Sequence, residues 1–90
     1  MSKYSVFLHK KALKQLEELQ HEVMKNTIKQ TIESFADYPL SLRQMDVQKL
    51  EGLERAFRIR VGGFRIFFSV DKKGRTVFVT HIEKRESAYE

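Results

Sequence analysis

Arg55-Ala56-Phe57-Arg58-Ile59-Arg60-Val61-Gly62-Gly63-Phe64-Arg65-Ile66-Phe67-Phe68-Ser69-Val70 is the stretch on which the fold turns. Two alternating runs flank a Gly-Gly pair, and glycine accepts the positive φ that tight hairpin turns require. With Gly62 and Gly63 as the loop, Val61 faces Phe64, Arg60 faces Arg65, Ile59 faces Ile66, Arg58 faces Phe67 and Phe57 faces Phe68. Opposed residues share a face, and faces alternate along each strand. One face therefore collects Phe57, Ile59, Val61, Phe64, Ile66 and Phe68, which is a core face. The other collects Arg58, Arg60, Arg65 and Phe67. Like charges opposite one another cost roughly 0.2–1 kcal/mol on the cross-strand scale, a cost that a bound anion relieves. The competing reading is a solvated outer face with arginine heads in water. Because the outward positions carry arginine rather than mixed signs, the balance tips toward an anionic ligand.

Ninety residues form one small domain, expected to span positions 1–90. A 41% hydrophobic fraction and a single proline indicate a folded chain. Cysteine is absent, which excludes disulfides and cysteine-bound zinc and suits a reducing compartment. No run approaches the ~18 apolar residues of a membrane span, and no signal-peptide core is visible, so a cytoplasmic protein without membrane contact is expected. The net charge of +5 favours polyanionic partners or an acidic protein. Its distribution matters more than its size. No acidic residue falls between Arg55 and Val70.

Working outward, Tyr4-Ser5-Val6-Phe7-Leu8 alternates as a first strand, with Tyr4, Val6 and Leu8 on one side. Lys10 to about Leu19 reads as a helix with Ala12, Leu13, Leu16 and Leu19 as its stripe. The phase breaks near Gln20-His21, and a second stripe runs through Met24, Ile28, Ile32 and Phe35 until Pro39 ends it. Such stripes are core far more often than partner-binding surface. Leu40 to Gln48 reads as a connection. Asp71-Lys72-Lys73-Gly74 is a turn, and Thr76-Val77-Phe78-Val79-Thr80-His81-Ile82 is a nearly continuous apolar strand, hence central. The expected architecture is α+β, in the order β-α-α-β-β-β. It comprises an antiparallel sheet of about four strands with an N-terminal helical hairpin packed on one face.

The chemistry is narrowed by elimination. His9, His21 and His81 lack metal-ligand spacing, so no metal and no cofactor is expected, and each histidine reads as an ordinary surface or edge residue. Gly62-Gly63 lacks the Lys-Ser/Thr of a phosphate loop, and no serine or cysteine has a nucleophile's setting. What remains is arginine with aromatics: Arg58, Arg60, Arg65 and Phe67, then Lys84, Arg85 and Tyr89 after the last strand. Guanidinium groups bind phosphate bidentately and aromatic rings stack on unpaired bases. RNA brings its own nucleophile, the 2′-hydroxyl, so the protein need only hold the in-line geometry, stabilise the phosphorane and move protons. Arginine is a poor base, with a pKa above ~12. Proton carriers are therefore sought among Tyr89, Lys84, His81 and Glu86.

Lys49-Leu50-Glu51-Gly52, Phe57-Arg58-Ile59-Arg60, Gly63-Phe64-Arg65-Ile66-Phe67-Phe68 and Lys84-Arg85-Glu86 followed by Tyr89 resemble the RelE branch of the RelE/ParE toxins in order and spacing over almost the whole chain. The resemblance implies the toxin of a type II toxin–antitoxin pair. Such a toxin is an endoribonuclease that cuts mRNA in the ribosomal A site and is neutralised, as a hetero-oligomer, by a cognate RelB-like antitoxin. It matches Arg65 and Arg85 to the family's phosphate-stabilising arginines and Tyr89 to its C-terminal stacking or acid/base tyrosine. Arg58 and Arg60 stand where well-known members carry lysines, one of them thought to be the base, so the base here lies elsewhere or catalysis leans on charge stabilisation. Two alternatives compete: a ParE-like inhibitor of gyrase, and a non-catalytic basic RNA-binding module. Convergence of several arginines favours the nuclease.

Overall fold

A computed structural model describes residues 3–52 and 55–84. In chain order the elements are β1 (Ser5–Leu8), α1 (Lys10–Glu17), α2 (Glu22–Ser34), 3-10 turns at Phe35–Asp37 and Leu40–Leu42, β2 (Asp46–Lys49), β3 (Ala56–Val61), β4 (Phe64–Asp71) and β5 (Thr76–Lys84). The strands form one sheet in the order β1-β5-β4-β3-β2.

The β3–β4 hairpin has the register that its alternation predicts, from Val61 opposite Phe64 to Phe57 opposite Phe68. Gly62 has φ +59° while Gly63 does not lie in the positive region, so only the first loop position needs glycine, as in a type II′ turn. A Cβ on Gly62 would also meet the mobile end of Met24, 2.7 Å from its Cε, whereas one on Gly63 meets nothing. Gly62→Ala is therefore expected to destabilise the domain by about 1 kcal/mol, and Gly63→Ala far less. Chemical denaturation of the two variants measures the difference, and equal losses would contradict this account of the turn.

Ile59, Ile66 and Phe68 are fully buried against Ile28, Ile32 and Phe35 of the second helical segment and Val77 and Val79 of β5. Two predicted stripes thus meet as one core, although Leu13, placed on the first stripe by its spacing, is exposed. The α-helix stops at Ser34, before Pro39, because the chain tightens into a 3-10 turn that still buries Phe35. Both helices are capped by histidine: His9 Nδ1 accepts from the Lys11 amide at 3.1 Å and His21 Nδ1 from the Met24 amide at 3.2 Å. These side chains satisfy amides that a first helical turn leaves without partners.

Two expectations about the sheet are corrected. Asp46–Lys49 is a fifth strand, not part of a connection, and it pairs antiparallel with β3. The sheet is mixed rather than antiparallel, since β1 runs parallel to β5. The α+β class, the helical hairpin on one face and the element order otherwise stand. Beyond Val79, where β1 no longer pairs with β5, α1 takes over the edge: Gln15 Oε1 accepts from the Ile82 amide at 2.7 Å. That bond satisfies a backbone donor on an otherwise open strand edge.

Candidate functional site

The helices cover one side of the sheet, and the other side carries the arginines. Register puts Arg58, Arg60 and Arg65 together there, with Arg60 directly opposite Arg65 and Arg58 opposite Phe67. The cationic surface is not uncompensated, because the unforeseen β2 brings Asp46 opposite Arg60 and Gln48 opposite Arg58. Arg60 Nε pairs with Asp46 Oδ2 at 2.8 Å, and Arg58 donates through Nε and a terminal nitrogen to Gln48 Oε1. Asp46, Gln48, Arg58 and Arg60 line a shallow depression of about 410 Å³. The Arg60 and Asp46 side chains are 50% and 60% exposed, so their bridge is worth about 1 kcal/mol or less. A phosphate group can take Asp46's place at that arginine.

Arg65 is held differently. Its Nε is buried and has no hydrogen-bond partner among the described residues. Glu83 stands opposite it in the β4–β5 ladder but reaches instead toward His81 Nε2, at 3.5 Å. A half-buried guanidinium with a buried unpartnered donor is costly in a purely structural role, and it is the arrangement that an incoming oxyanion satisfies.

Phe67 shares this face, though not as a free stacking surface. Its ring lies 4.2 Å from the His81 ring and 11° from parallel, so His81 covers one side of it. The sequence offers His81 as one of four candidate proton carriers without locating it. It reaches this face because of a β-bulge: Phe67 pairs with His81 and Phe68 with Val79, leaving Thr80 as the extra residue. Strict alternation from Val77 and Val79 would have sent His81 into the core. The bulge reverses the phase, so Ile82 goes in and His81 comes out. Burial lowers the His81 pKa below its ordinary value, with Glu83 opposing the shift and Lys11 adding to it.

Lys84 does not join the arginines. It is opposite Phe64, on the helical side of the sheet, where it lines a cavity of about 280 Å³ with Glu18, Leu19, Gln20 and His21. The reason is parity: Lys84 follows Glu83, which faces Arg65. Arg85, Tyr89 and Glu86 lie outside the described residues.

Residues 6–89 match the model of a family described as the ParE toxin of the type II toxin–antitoxin system. The candidate toxin RelE1 of Methanocaldococcus jannaschii is 32% identical over 97% of this chain and 96% of its own length. The toxin fold also superposes on two solved archaeal assemblies. These are the RelE–RelB complex of Pyrococcus horikoshii OT3 (TM-score 0.79, 26% identity, 92% of this chain and 96% of that one) and the RelB–RelE antitoxin–toxin complex of Methanococcus jannaschii (TM-score 0.74, 26% identity, 92% and 94%). With fold, hairpin and length all shared, the chain belongs to the RelE/ParE superfamily of type II toxins, on its RelE branch.

Proposed function

We propose that this toxin is an endoribonuclease that cleaves mRNA on the ribosome, by attack of the RNA's own 2′-hydroxyl and without a metal ion, and that a RelB-like antitoxin neutralises it. The observation that carries the reading is the open sheet face, with three guanidinium groups in register and the Arg65 Nε buried without a partner among the described residues. Arg65 stabilises the charge that develops on the phosphorane, a task for which a preorganised donor in a partly dry site is well suited. Arg58 and Arg60 hold the flanking phosphates after exchanging Gln48 and Asp46 for RNA oxygens. Family likeness assigns Arg85 to the same charge and Tyr89 to stacking or proton transfer. Lys84, turned to the helical side of the sheet, takes no part in this RNA face. An antitoxin partner is supported by the RelB complexes of the two archaeal relatives and by the +5 charge of this chain, which suits an acidic segment. The site of action is then the cytoplasm, where ribosomes and mRNA are.

Because the matching family description is that of ParE, inhibition of gyrase is the second reading. Expression of the chain without a partner, followed by mapping of mRNA 5′ ends and measurement of DNA and protein synthesis, separates the two. Translation arrest with new ends inside codons is the expected result. Replication arrest with intact messages would overturn the nuclease reading in favour of gyrase inhibition.

A further inference from the structure

Arginine is a poor base, so the proposed cleavage needs a separate proton acceptor, and among the described residues the arginine face presents an imidazole, His81, suited to the task. Thr80 Oγ1 lies 3.2 Å from the Phe67 carbonyl oxygen, to which it donates, and 3.1 Å from His81 Nδ1. A threonine hydroxyl has a single hydrogen. Once that hydrogen is committed to the carbonyl, the contact with Nδ1 closes only if Nδ1 donates. This assignment of the hydroxyl hydrogen places a proton on Nδ1 and the lone pair on Nε2. Three constraints hold the ring in this orientation: the Phe67 stack, the Thr80 hydroxyl and the bulge that turned the strand outward.

We infer that His81 is the general base of the cleavage reaction, taking the 2′-hydroxyl proton at Nε2, and that Thr80 is the positioning residue that sets its tautomer. This rests on the nuclease reading. As the proton moves to Nε2, the 2′-oxygen forms its bond to phosphorus. The P–O5′ bond then breaks, leaving a 2′,3′-cyclic phosphate and a 5′-oxygen that takes its proton from water or another acid of the site. Glu83, 3.5 Å from Nε2, stabilises the imidazolium that results. Arg65, opposite Glu83 in the ladder, is on the same face to receive the phosphorane charge. His81 thus joins proton acceptor and charge stabiliser on adjacent strands.

The charged groups around His81 give the inference a signature that a packing role lacks. Glu83 on β5 raises its pKa, Lys11 on α1 and burial lower it, and the net position is below the ordinary 6.5. A base works when deprotonated, so cleavage falls as pH drops through the His81 pKa and is level above it. The test is single-turnover cleavage of mRNA on programmed ribosomes across pH, with thermal melting to verify folding. The wild type is expected to show one acid limb below about pH 6.5. His81→Gln is expected to lower the plateau rate by about 10²-fold, within the usual range for a general base, and to abolish the limb. Added imidazole should partly rescue His81→Ala. Glu83→Gln should move the limb to lower pH and Lys11→Gln to higher pH. Thr80→Val should reduce the plateau while keeping the limb, because it frees the tautomer but leaves the imidazole. A folded His81→Gln that cleaves at the wild-type rate with the wild-type limb would overturn the assignment and leave the nuclease reading intact. Absence of cleavage by the wild type at every pH would remove both.

Discussion

Arg65→Ala is expected to slow mRNA cleavage by about 10²–10³-fold, the usual loss when one preorganised charge-stabilising donor is removed, while the protein melts within a few degrees of the wild type. The two halves of this expectation have separate physical origins. Arg65 is not part of the apolar cluster, and its buried Nε has no partner among the described residues, so truncation removes a cost rather than a bond. Its loss is felt only when phosphorus becomes pentacoordinate and its equatorial oxygens gain charge. Arg65→Lys should recover part of the rate, since it restores the charge without the planar fork that engages two oxygens at once. Single-turnover rates on saturated ribosomes discriminate this from a loss of affinity. A variant that cleaves normally once bound would reduce Arg65 to a binding residue, and one that melts far below the wild type would place it in the scaffold.

The largest effect on stability is expected at Phe68. This ring is buried in the middle of β4, 4.6 Å from Phe35 at the end of the helical hairpin and 5.5 Å from Phe57 on β3. It therefore ties the helical layer to the sheet at the point where both meet the hairpin. Phe68→Ala removes most of that packing and leaves a cavity that rigid neighbours fill poorly, at a cost of about 3–5 kcal/mol. Small domains have only about 5–15 kcal/mol in total, and 1 kcal/mol corresponds to roughly 4–8 °C at this size. The variant should be partly unfolded at growth temperature, and its toxicity should fall through abundance rather than chemistry. Denaturant titration checks this directly. A loss below about 1 kcal/mol would mean that the core closes over the gap. Phe67, the next residue, offers the contrast: its ring supports His81 on the open face, so Phe67→Ala should disturb cleavage more than folding.

That adjacent phenylalanines serve opposite faces was legible from the residues alone. Period-two alternation and the Gly62-Gly63 reversal are properties of neighbouring positions, so register, core face and arginine face followed without knowledge of the rest of the chain. The stripes of the two helices were legible for the same reason, apart from Leu13. Other features were not. Asp46-Val47-Gln48-Lys49 has one apolar residue in four and is a strand only because β3 offers it an edge to bond. His9 and His21 do not belong to the residue types that usually cap helices, and their roles emerge from where each helix happens to start.

The site divides along the same line. That Arg58, Arg60 and Arg65 share one side of a hairpin is written into sixteen consecutive residues, because side-chain direction in a strand is a local alternation. Which groups surround those arginines is not local. Asp46 arrives through a strand pairing, Glu83 through the β4–β5 ladder, and Lys84 is turned away by the same ladder. His81 depends on a single unpaired residue, Thr80, which shifts the alternation of β5 by one position. A bulge is stabilised by the partner strand against which it forms, so no pattern within Thr76–Lys84 could announce that the imidazole would face the arginines and not the core.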